Sequence, residues 1–211
     1  MAKNSGISLP VVRRLPRYYS NLEELMREGI LRISSGELAK RMKLTASQIR
    51  QDLNNFGGFG QQGYGYNVTD LYNEIGHILG VDRKLKVILI GVGNIGKAIA
   101  TQVNFSKRGC ELIGLFDIAD ELVGQEVAGI KVRKMTELSD FCKTNEPEIA
   151  ILCIPKSQAY GVAKMLISSG VTSFWNFSHF DLNVYFDDII VENVHLGDSL
   201  MTLKYRTNNK G

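Results

Sequence analysis

The 211-residue sequence predicts an α/β fold class, with an N-terminal winged helix-turn-helix domain followed by a Rossmann-like doubly wound parallel sheet domain. Three observations predict it. Two short helical patterns, separated by a tight turn, precede a stretch rich in glycine and aromatic residues. Apolar strands then alternate with helical patterns, and the first of these strands leads into a glycine-spaced turn. We therefore expect domains at residues 1–80 and 84–192, and a C-terminal helical segment at 193–211.

The glycine-spaced turn follows the apolar strand at residues 87–90. Gly91 permits a tight turn, Gly93 has no Cβ to obstruct a pyrophosphate, and Gly96 lets the following helix pack closely on the strand. That helix directs its free backbone N–H groups and the positive end of its dipole at the phosphates. The candidate cofactor-binding residues of this turn are Gly91, Val92, Gly93, Asn94, Ile95 and Gly96.

An acidic residue, Asp117, ends the next apolar run and is expected at the carboxyl end of the second strand. Its carboxylate can accept hydrogen bonds from ribose hydroxyls and would repel a 2′-phosphate, and Ile118 and Ala119 supply no cation. This favours NADH and NAD⁺ over the phosphorylated dinucleotides. The alternative is a nucleotide-free domain that keeps its glycine turn for packing.

Later strands contribute candidate walls for the nicotinamide ring. Ile154, Pro155 and Phe177 lie at the carboxyl ends of these strands, where open α/β sheets bind their ligands. A mostly apolar site would favour the neutral reduced ring, because burying the cationic oxidised ring costs more free energy.

The N-terminal part carries all of the excess positive charge. Residues 1–83 contain 11 Lys and Arg and 8 Asp and Glu, a net charge of +3, whereas residues 84–211 contain 14 of each kind. Contacts with phosphate require such a basic region. The uneven charge therefore favours nucleic acid as the partner of the first domain.

Helix signals in this part are local. The first amphipathic segment has Pro10, which suits a helix start, and Pro16, which should interrupt and restart the helix. Ser35 is the expected N-cap of the next helix, and Thr45 is the expected N-cap of a helix over residues 46–56. The last two helices match a helix-turn-helix whose second member reads DNA.

Only one face of the reading helix can enter a groove. Arg50 is the first candidate for DNA contact, either bidentate to guanine or paired with phosphate. The stretch at residues 57–66 predicts a β-hairpin wing with its tip in the minor groove, and a low-complexity linker is the alternative. The candidate DNA-binding residues are Thr45, Ser47, Gln48, Arg50, Gln51, Asn54, Gln61, Gln62 and Gly63.

The remaining elements follow from apolar runs and helical periodicity. A helix at residues 70–79 closes the first domain, and the stretch 123–132 is expected to be loosely structured. A final amphipathic helix at 196–206 has no later helix to cover it, which a partner subunit would do. The other strands are expected at 86–91, 112–117, 149–154, 173–177 and 188–191, and the other helices at 94–107, 136–145 and 157–169.

Composition excludes several classes of protein. No apolar run approaches the roughly 20 residues of a membrane span, and the first residues lack the apolar core of a signal peptide. Cys110, Cys142 and Cys153 are an odd number without C-x-x-C spacing, so we expect reduced thiols and no metal site. A cysteine-based redox switch is the alternative. We expect a cytoplasmic protein.

A nucleotide domain joined to a DNA-binding domain predicts a sensor rather than an enzyme. No motif pairs His77, His179 or His195 with a neighbouring acid for hydride-transfer chemistry, and no length remains for a substrate domain. Two alternatives stay open. One is an NAD-dependent dehydrogenase, and the other is a winged-helix regulator that senses another adenine-containing ligand, such as a coenzyme A ester.

These segments together resemble the Rex family of bacterial redox-sensing transcriptional repressors. The most specific stretches are residues 45–66 and 91–96. The resemblance implies a homodimer whose winged helices bind a palindromic operator and whose Rossmann domains bind NADH or NAD⁺. It also implies that the C-terminal helix is swapped onto the other subunit. NADH would close the dimer and release DNA, whereas NAD⁺ would compete for the pocket and permit DNA binding.

Two departures from the family pattern concern the coupling of the domains. Some members join the domains of opposing subunits by an arginine–aspartate pair, and the matching positions here hold Ser20 and His195, which cannot form it. Those members also place a tyrosine near the nicotinamide where this chain has Gln102. We assign no role to these three residues.

Overall fold

The computed structural model describes residues 7–57 and 64–209. The chain divides between Asp82 and Arg83 into two compact units, which are described separately. The domain boundaries predicted from the sequence, at residues 1–80, 84–192 and 193–211, stay a prediction. None of the described helices is long and apolar enough to cross a lipid bilayer.

The first unit consists of short helices and one pair of short strands. Pro10 and Pro16 each lie in the first turn of a helix, where a missing N–H is tolerated, so the predicted interruption is confirmed. The elements are α1 (Leu9–Val12), α2 (Leu15–Arg27), β1 (Arg32–Ile33), α3 (Ser35–Met42), α4 (Ala46–Asn54), β2 (Tyr66–Asn67) and α5 (Val68–Leu79).

One apolar core joins α2, α3, α4 and α5. Each helix buries side chains spaced three or four residues apart, and each fully buried large side chain stabilises the unit by about 1.5–3 kcal/mol. The largest contributors are Leu15, Tyr18, Leu22, Leu25, Leu38, Met42, Ile49, Leu53 and Ile75.

The N-cap of α3 corrects one prediction. The cap is Ser34 rather than Ser35, because the Ser34 hydroxyl accepts a hydrogen bond from the Glu37 N–H at 3.1 Å. The Glu37 carboxylate accepts one in return from the Ser34 N–H at 2.9 Å. This reciprocal capping box is available only when the serine lies three residues before the glutamate.

The stretch predicted as the wing, residues 57–66, is described only at its two ends, and its last residue, Tyr66, belongs to a short strand pair. β2 pairs antiparallel with β1, with Arg32 opposite Asn67 and Ile33 opposite Tyr66. Two residues of strand carry too little periodicity to be recognised, so β1 was not predicted. The predicted tip, Gln61, Gln62 and Gly63, lies outside the described residues.

The second unit is built on a seven-stranded sheet with the strand order β5-β6-β4-β3-β7-β8-β9. The six strands from β6 to β9 in this order are parallel, and β5 pairs antiparallel with β6 at one edge. In chain order the parallel strands run 3-2-1-4-5-6, which is the doubly wound Rossmann arrangement. The predicted α/β fold class is confirmed.

Two apolar clusters, one with Ile88 and Phe116 and the other with Leu89 and Leu115, hold residues that alternate along the central strands. Each cluster covers one face of the sheet, as alternating side chains require. The strands are β3 (Leu85–Ile90), β4 (Cys110–Asp117), β5 (Glu126–Val127), β6 (Ile130–Lys134), β7 (Ile149–Leu152), β8 (Ser173–Asn176) and β9 (Ile190–Asn193). The helices are α6 (Asn94–Gln102), α7 (Leu138–Asn145), α8 (Lys156–Ser168) and α9 (Leu196–Asn208), and 3₁₀ turns span Ser106–Arg108, Met135–Glu137 and Leu182–Val184.

Two stretches of this unit differ from the sequence prediction. The helix expected over 94–107 ends at Gln102, because Val103 is extended and Asn104 bonds the backbone of the next turn instead. The stretch 123–132 is not loose, since it contains β5 and most of β6. β6 is ordered by pairing with β4, where Leu115 faces Val132.

A capping substitution tests the corrected start of α3. We expect Ser34→Ala to lower the free energy of unfolding by about 1 kcal/mol, because the Glu37 N–H loses its acceptor. The matched control is Ser35→Ala, which removes an exposed hydroxyl bonded to Arg50 and should have less than half that effect. Urea titration followed by circular dichroism measures both. An equal loss in the two variants would contradict the assignment.

Candidate functional site

The three glycines of the turn after β3 face different surroundings. Gly91 has a φ of +91°, and a Cβ there would overlap the backbone carbonyl of Cys153. A Cβ on Gly96 would overlap the carbonyl oxygen of Gly91. A Cβ on Gly93 would meet no described atom within 4 Å. The first and third glycines are therefore required by packing, whereas the second leaves room for a ligand.

Helix α6 begins at this opening. Its N-cap is Gly93, which cannot cap the helix with a side chain, and Asn94 and Ile95 in its first turn are exposed. The first N–H groups of a helix carry partial positive charge and bind anions. Val92 has a fully buried side chain, so it contributes to this site through its backbone.

Asp117 joins the end of β4 to the glycine turn. Its side chain is buried, with Oδ2 accepting a hydrogen bond from the Val92 N–H at 2.6 Å and Oδ1 accepting one from the Ala119 N–H at 2.9 Å. The sequence predicted a ribose acceptor here and did not reveal this second role. Each carboxylate oxygen has a further lone pair, so the two roles are compatible.

A cleft of about 250 Å³ opens at the carboxyl edge of the sheet between these elements. Its lining includes Gly91, Gly93, Asp117 and two predicted wall residues, Ile154 and Pro155. Six further residues that line it were not predicted from the sequence: Ile90, Ile118, Met135, Cys153, Gln158 and Val162. Met135 directly follows β6, the strand that the sequence did not reveal.

The third predicted wall residue is placed differently. Phe177 is not among the described residues that line the cleft, and its ring packs edge-on against Trp175 with a centroid separation of 5.0 Å. Phe177 is half-buried within the apolar cluster on one face of the sheet. Its role beside a nicotinamide stays a prediction.

One thiol belongs to the cleft. Cys153 lines it beside Gly91, and burial raises the pKa of the Cys153 thiol to about 12. A thiol with this pKa is protonated and unreactive at neutral pH. Cys142 is buried, and burial raises its pKa as well. All three cysteines are free thiols, in agreement with the sequence prediction.

Two of the three histidines lie beside an acidic side chain in the structure. His77 lies 3.1 Å from Asp82, and His195 lies 3.1 Å from Asp198 and stacks on His179. Neither acid adjoins its histidine along the chain, since Asp198 follows His195 by three residues and Asp82 follows His77 by five. None of these histidines is among the described residues that line the cleft, so the pairs supply no acid or base to it.

The helix-turn-helix presents one polar face. The predicted N-cap Thr45 is confirmed, since its hydroxyl accepts a hydrogen bond from the Gln48 N–H at 3.1 Å. Arg50 Nη1 donates to the Ser35 hydroxyl at 2.9 Å, which draws the guanidinium towards the start of α3. The exposed predicted residues lie at three- and four-residue steps on one side of α4: Ser47, Arg50, Gln51 and Asn54.

One predicted DNA-binding residue, Gln48, has a side chain that is hydrogen-bonded within the unit. It is half-buried, and its Nε2 donates to the Asp52 carboxylate at 2.8 Å. In a helix, residues four apart lie on the same side, so Gln48 faces the interior together with Asp52. The structure thus moves Gln48 from the polar face of α4 to its inner edge.

Asp52, which the sequence pattern did not single out, is a fully buried carboxylate in α4. Arg14 donates to it from Nε and Nη2 at 2.6 and 2.7 Å, and the Tyr18 hydroxyl donates at 2.7 Å. Burial alone raises the pKa of Asp52, but the hydrogen bonds from Arg14, Tyr18 and Gln48 outweigh it and hold the pKa below its usual range. This network ties α4 to α2.

The comparisons with known families agree with the division into two units. Residues 6–54 match the family described as "Putative DNA-binding protein N-terminus", and residues 82–180 match the family described as "CoA binding domain". Together with the geometry, these matches define a class of protein in which a helix-turn-helix unit is joined to a nucleotide-type Rossmann unit.

Relatives that match along the whole chain identify the family within this class of protein. The chain is 50% identical over 210 residues to the redox-sensing transcriptional repressor Rex of Caldicellulosiruptor saccharolyticus, an alignment that covers 100% of this chain and 95% of the relative. It is 52% identical over 210 residues to that of Caldanaerobacter subterraneus subsp. tengcongensis, covering 100% and 93%. The chain belongs to the Rex family of redox-sensing transcriptional repressors. The prediction of a regulator rather than a dehydrogenase is confirmed.

Solved structures agree with this family. The protein RSP in complex with β-NAD⁺ and operator DNA superposes with a TM-score of 0.90 at 51% identity, covering 97% of this chain and 94% of that chain. RSP in complex with β-NADH superposes with a TM-score of 0.87 at 48% identity, covering 97% and 95%.

The buried carboxylate of α4 makes stability depend on pH. Because the pKa of Asp52 is lowered in the folded protein, its contribution is complete above the unfolded pKa of about 3.9 and is lost as pH falls through the folded pKa. We expect Asp52→Asn to cost about 3 kcal/mol at pH 7, since Arg14 loses its charged partner. Urea titrations at pH 7 and pH 3 measure the difference. A difference between the proteins that is the same at both pH values would contradict this role.

Proposed function

We propose that this repressor acts in the cytoplasm as a homodimer that binds palindromic operator DNA and releases it when NADH occupies the cleft of the second unit. NAD⁺ competes for the same cleft, so transcription follows the cellular ratio of NADH to NAD⁺. The observation that carries the proposal is the glycine turn, with Gly93 open to a ligand, α6 starting beside it and Asp117 next to it.

The nucleotide fits the cleft by its chemistry. The pyrophosphate lies at the N-terminus of α6, where N–H groups favour an anion, and Gly93 permits its close approach. The Asp117 carboxylate accepts hydrogen bonds from the ribose hydroxyls with the lone pairs that its two backbone contacts leave free. The complexes of RSP with β-NAD⁺ and β-NADH support this assignment.

The apolar wall favours the reduced cofactor. Ile154 and Pro155 border the cleft, and Phe177 is proposed to contact the ring in the bound state. The oxidised nicotinamide carries a positive charge, whose transfer from water to an apolar wall costs free energy, whereas the reduced ring is neutral. A sensor needs this difference, because a ligand that binds two states equally shifts neither.

Operator DNA is proposed to lie against the polar face of α4. Arg50 contacts a guanine or a phosphate, Gln51 and Asn54 contact base edges, and the Thr45 and Ser47 hydroxyls donate to phosphates. Gln48 supports this face through Asp52 rather than reading a base. Gln61, Gln62 and Gly63 form the wing tip in the minor groove, and the operator complex of RSP supports DNA as the partner.

The homodimer is proposed to form through α9. This helix exposes apolar side chains along its whole length, and such a surface is stable in water when a second copy covers it. The family resemblance implies a swapped arrangement, in which α9 of one subunit packs on the other. The exposed residues are Leu196, Leu200, Met201, Leu203 and Tyr205.

A second candidate ligand is a coenzyme A ester. The match of residues 82–180 to the family described as "CoA binding domain" favours it, since both ligands contain an adenosine diphosphate group. Coenzyme A carries an additional phosphate on its ribose, and the buried Asp117 carboxylate at this edge opposes such a group. NADH and NAD⁺ therefore remain the first candidates.

A mobility-shift assay tests the proposal, using an operator recovered by in vitro selection on the dimeric protein. We expect NADH to release the DNA, NAD⁺ to leave it bound and to counteract NADH, and acetyl-coenzyme A to have no effect. The matched variant is Gly93→Ala, whose new Cβ meets open space, so it should keep the melting temperature but lose the response to NADH. If the protein retains DNA equally with either oxidation state, the proposal is wrong.

The reading helix has its own test. We expect Arg50→Ala to weaken operator binding by about 1–3 kcal/mol, because a bidentate or phosphate contact is lost. Arg27→Ala is the matched control, since Arg27 lies exposed on α2 and pairs only locally with Glu23. Fluorescence anisotropy at constant salt measures both affinities. An Arg50→Ala protein with wild-type affinity would remove Arg50 from the reading face.

A further inference from the structure

A lysine that the sequence did not connect with the nucleotide site lies beside its acid. Lys134 ends β6 and is the register partner of Asp117 at the end of β4. Both side chains therefore belong to the carboxyl edge of the sheet, next to Ile118 and Met135, which line the cleft. Lys134 is 17 residues from Asp117 along the chain, and only the pairing of β6 with β4 brings the two strand ends together.

The charge of Lys134 is held by a second acid. Its Nζ lies 3.0 Å from Oδ1 of Asp120, which follows Asp117 in the loop after β4. Asp117 directs its two oxygens at the N–H groups of Val92 and Ala119 instead. The two acids thus have different partners. Asp117 accepts hydrogen bonds from the backbone of the glycine turn and of its own loop, and Asp120 pairs with the ammonium group of Lys134.

We propose that Asp120 is a specificity-determining residue of the nucleotide site. It keeps the ammonium group of Lys134 from serving a phosphate on the adenosine ribose. Rossmann sites that accept a 2′-phosphate supply a cation near the ribose, and Lys134 is a cation at the strand end beside Asp117. The inference deepens the proposed function and rests on it, since it assumes that a dinucleotide binds in this cleft.

The expected effect is modest. Lys134 and Asp120 are both well exposed, with side-chain exposures of 56% and 85%, so water screens their attraction. Loss of a pair of this kind changes a binding equilibrium by about two- to fivefold. Asp117 remains in every variant and continues to oppose the 2′-phosphate, so the dinucleotide preference is weakened and not reversed.

The test is the ratio of NADPH to NADH dissociation constants, measured with the purified full-length protein by the fluorescence of the reduced nicotinamide. We expect Asp120→Asn to lower this ratio about two- to fivefold, because Lys134 becomes free to pair with the phosphate. Adding Lys134→Ala to that variant should restore the ratio. The matched control is Asp140→Asn, which breaks a similar exposed pair with Lys143 on α7 and should leave the ratio unchanged.

The outcomes separate this inference from the function on which it rests. If the wild-type protein binds neither dinucleotide, the proposed function fails. If it binds NADH and Asp120→Asn leaves the ratio unchanged, only the role of Asp120 fails. A lower ratio that persists after Lys134→Ala would also overturn the inference, because the gain would then come from lost repulsion alone.

Discussion

The close approach of α6 to the end of β3 is the constraint on which the nucleotide site depends. The backbone of Gly96 lies against the carbonyl of Gly91, at a separation that no side chain larger than hydrogen allows. This contact directs the N-terminus of α6 at the cleft, while Asp117 holds the Val92 N–H from the neighbouring strand. The site is therefore built mainly from backbone.

In the first unit, the arrangement of the helices depends on a single charged side chain. The buried Asp52 carboxylate receives Arg14 and Tyr18 from α2 and Gln48 from its own helix. A buried charge is tolerated only when hydrogen bonds and an opposite charge satisfy it. Separating α2 from α4 would leave the Asp52 carboxylate without these partners, which costs free energy. The same helix carries its packing on one side and exposes Arg50 on the other. Packing and the proposed DNA contacts are thus assigned to opposite faces of α4.

Local patterns predicted much of this arrangement. The strand–glycine–helix sequence located Gly91, Gly93 and Gly96 because strand, turn and helix follow one another directly along the chain, and Thr45 was predicted as an N-cap from its place directly before a helix. The prediction of Ser35 as a cap was wrong, since two adjacent serines are distinguished only by the reach of Glu37. β6 was missed because pairing with β4, and not its own periodicity, makes it a strand.

The sequence by itself determined which residue types each candidate site contains: the glycine turn and the acid at the end of the second strand in one, and the polar residues of the proposed reading helix in the other. These features depend on neighbours along the chain, where spacing alone carries the information. Only the tertiary structure decided that Gln48 turns inward to Asp52 and that Lys134 lies beside Asp117. Both placements arise from contacts between elements, because helix packing and strand register select the side-chain neighbours that separation along the chain conceals.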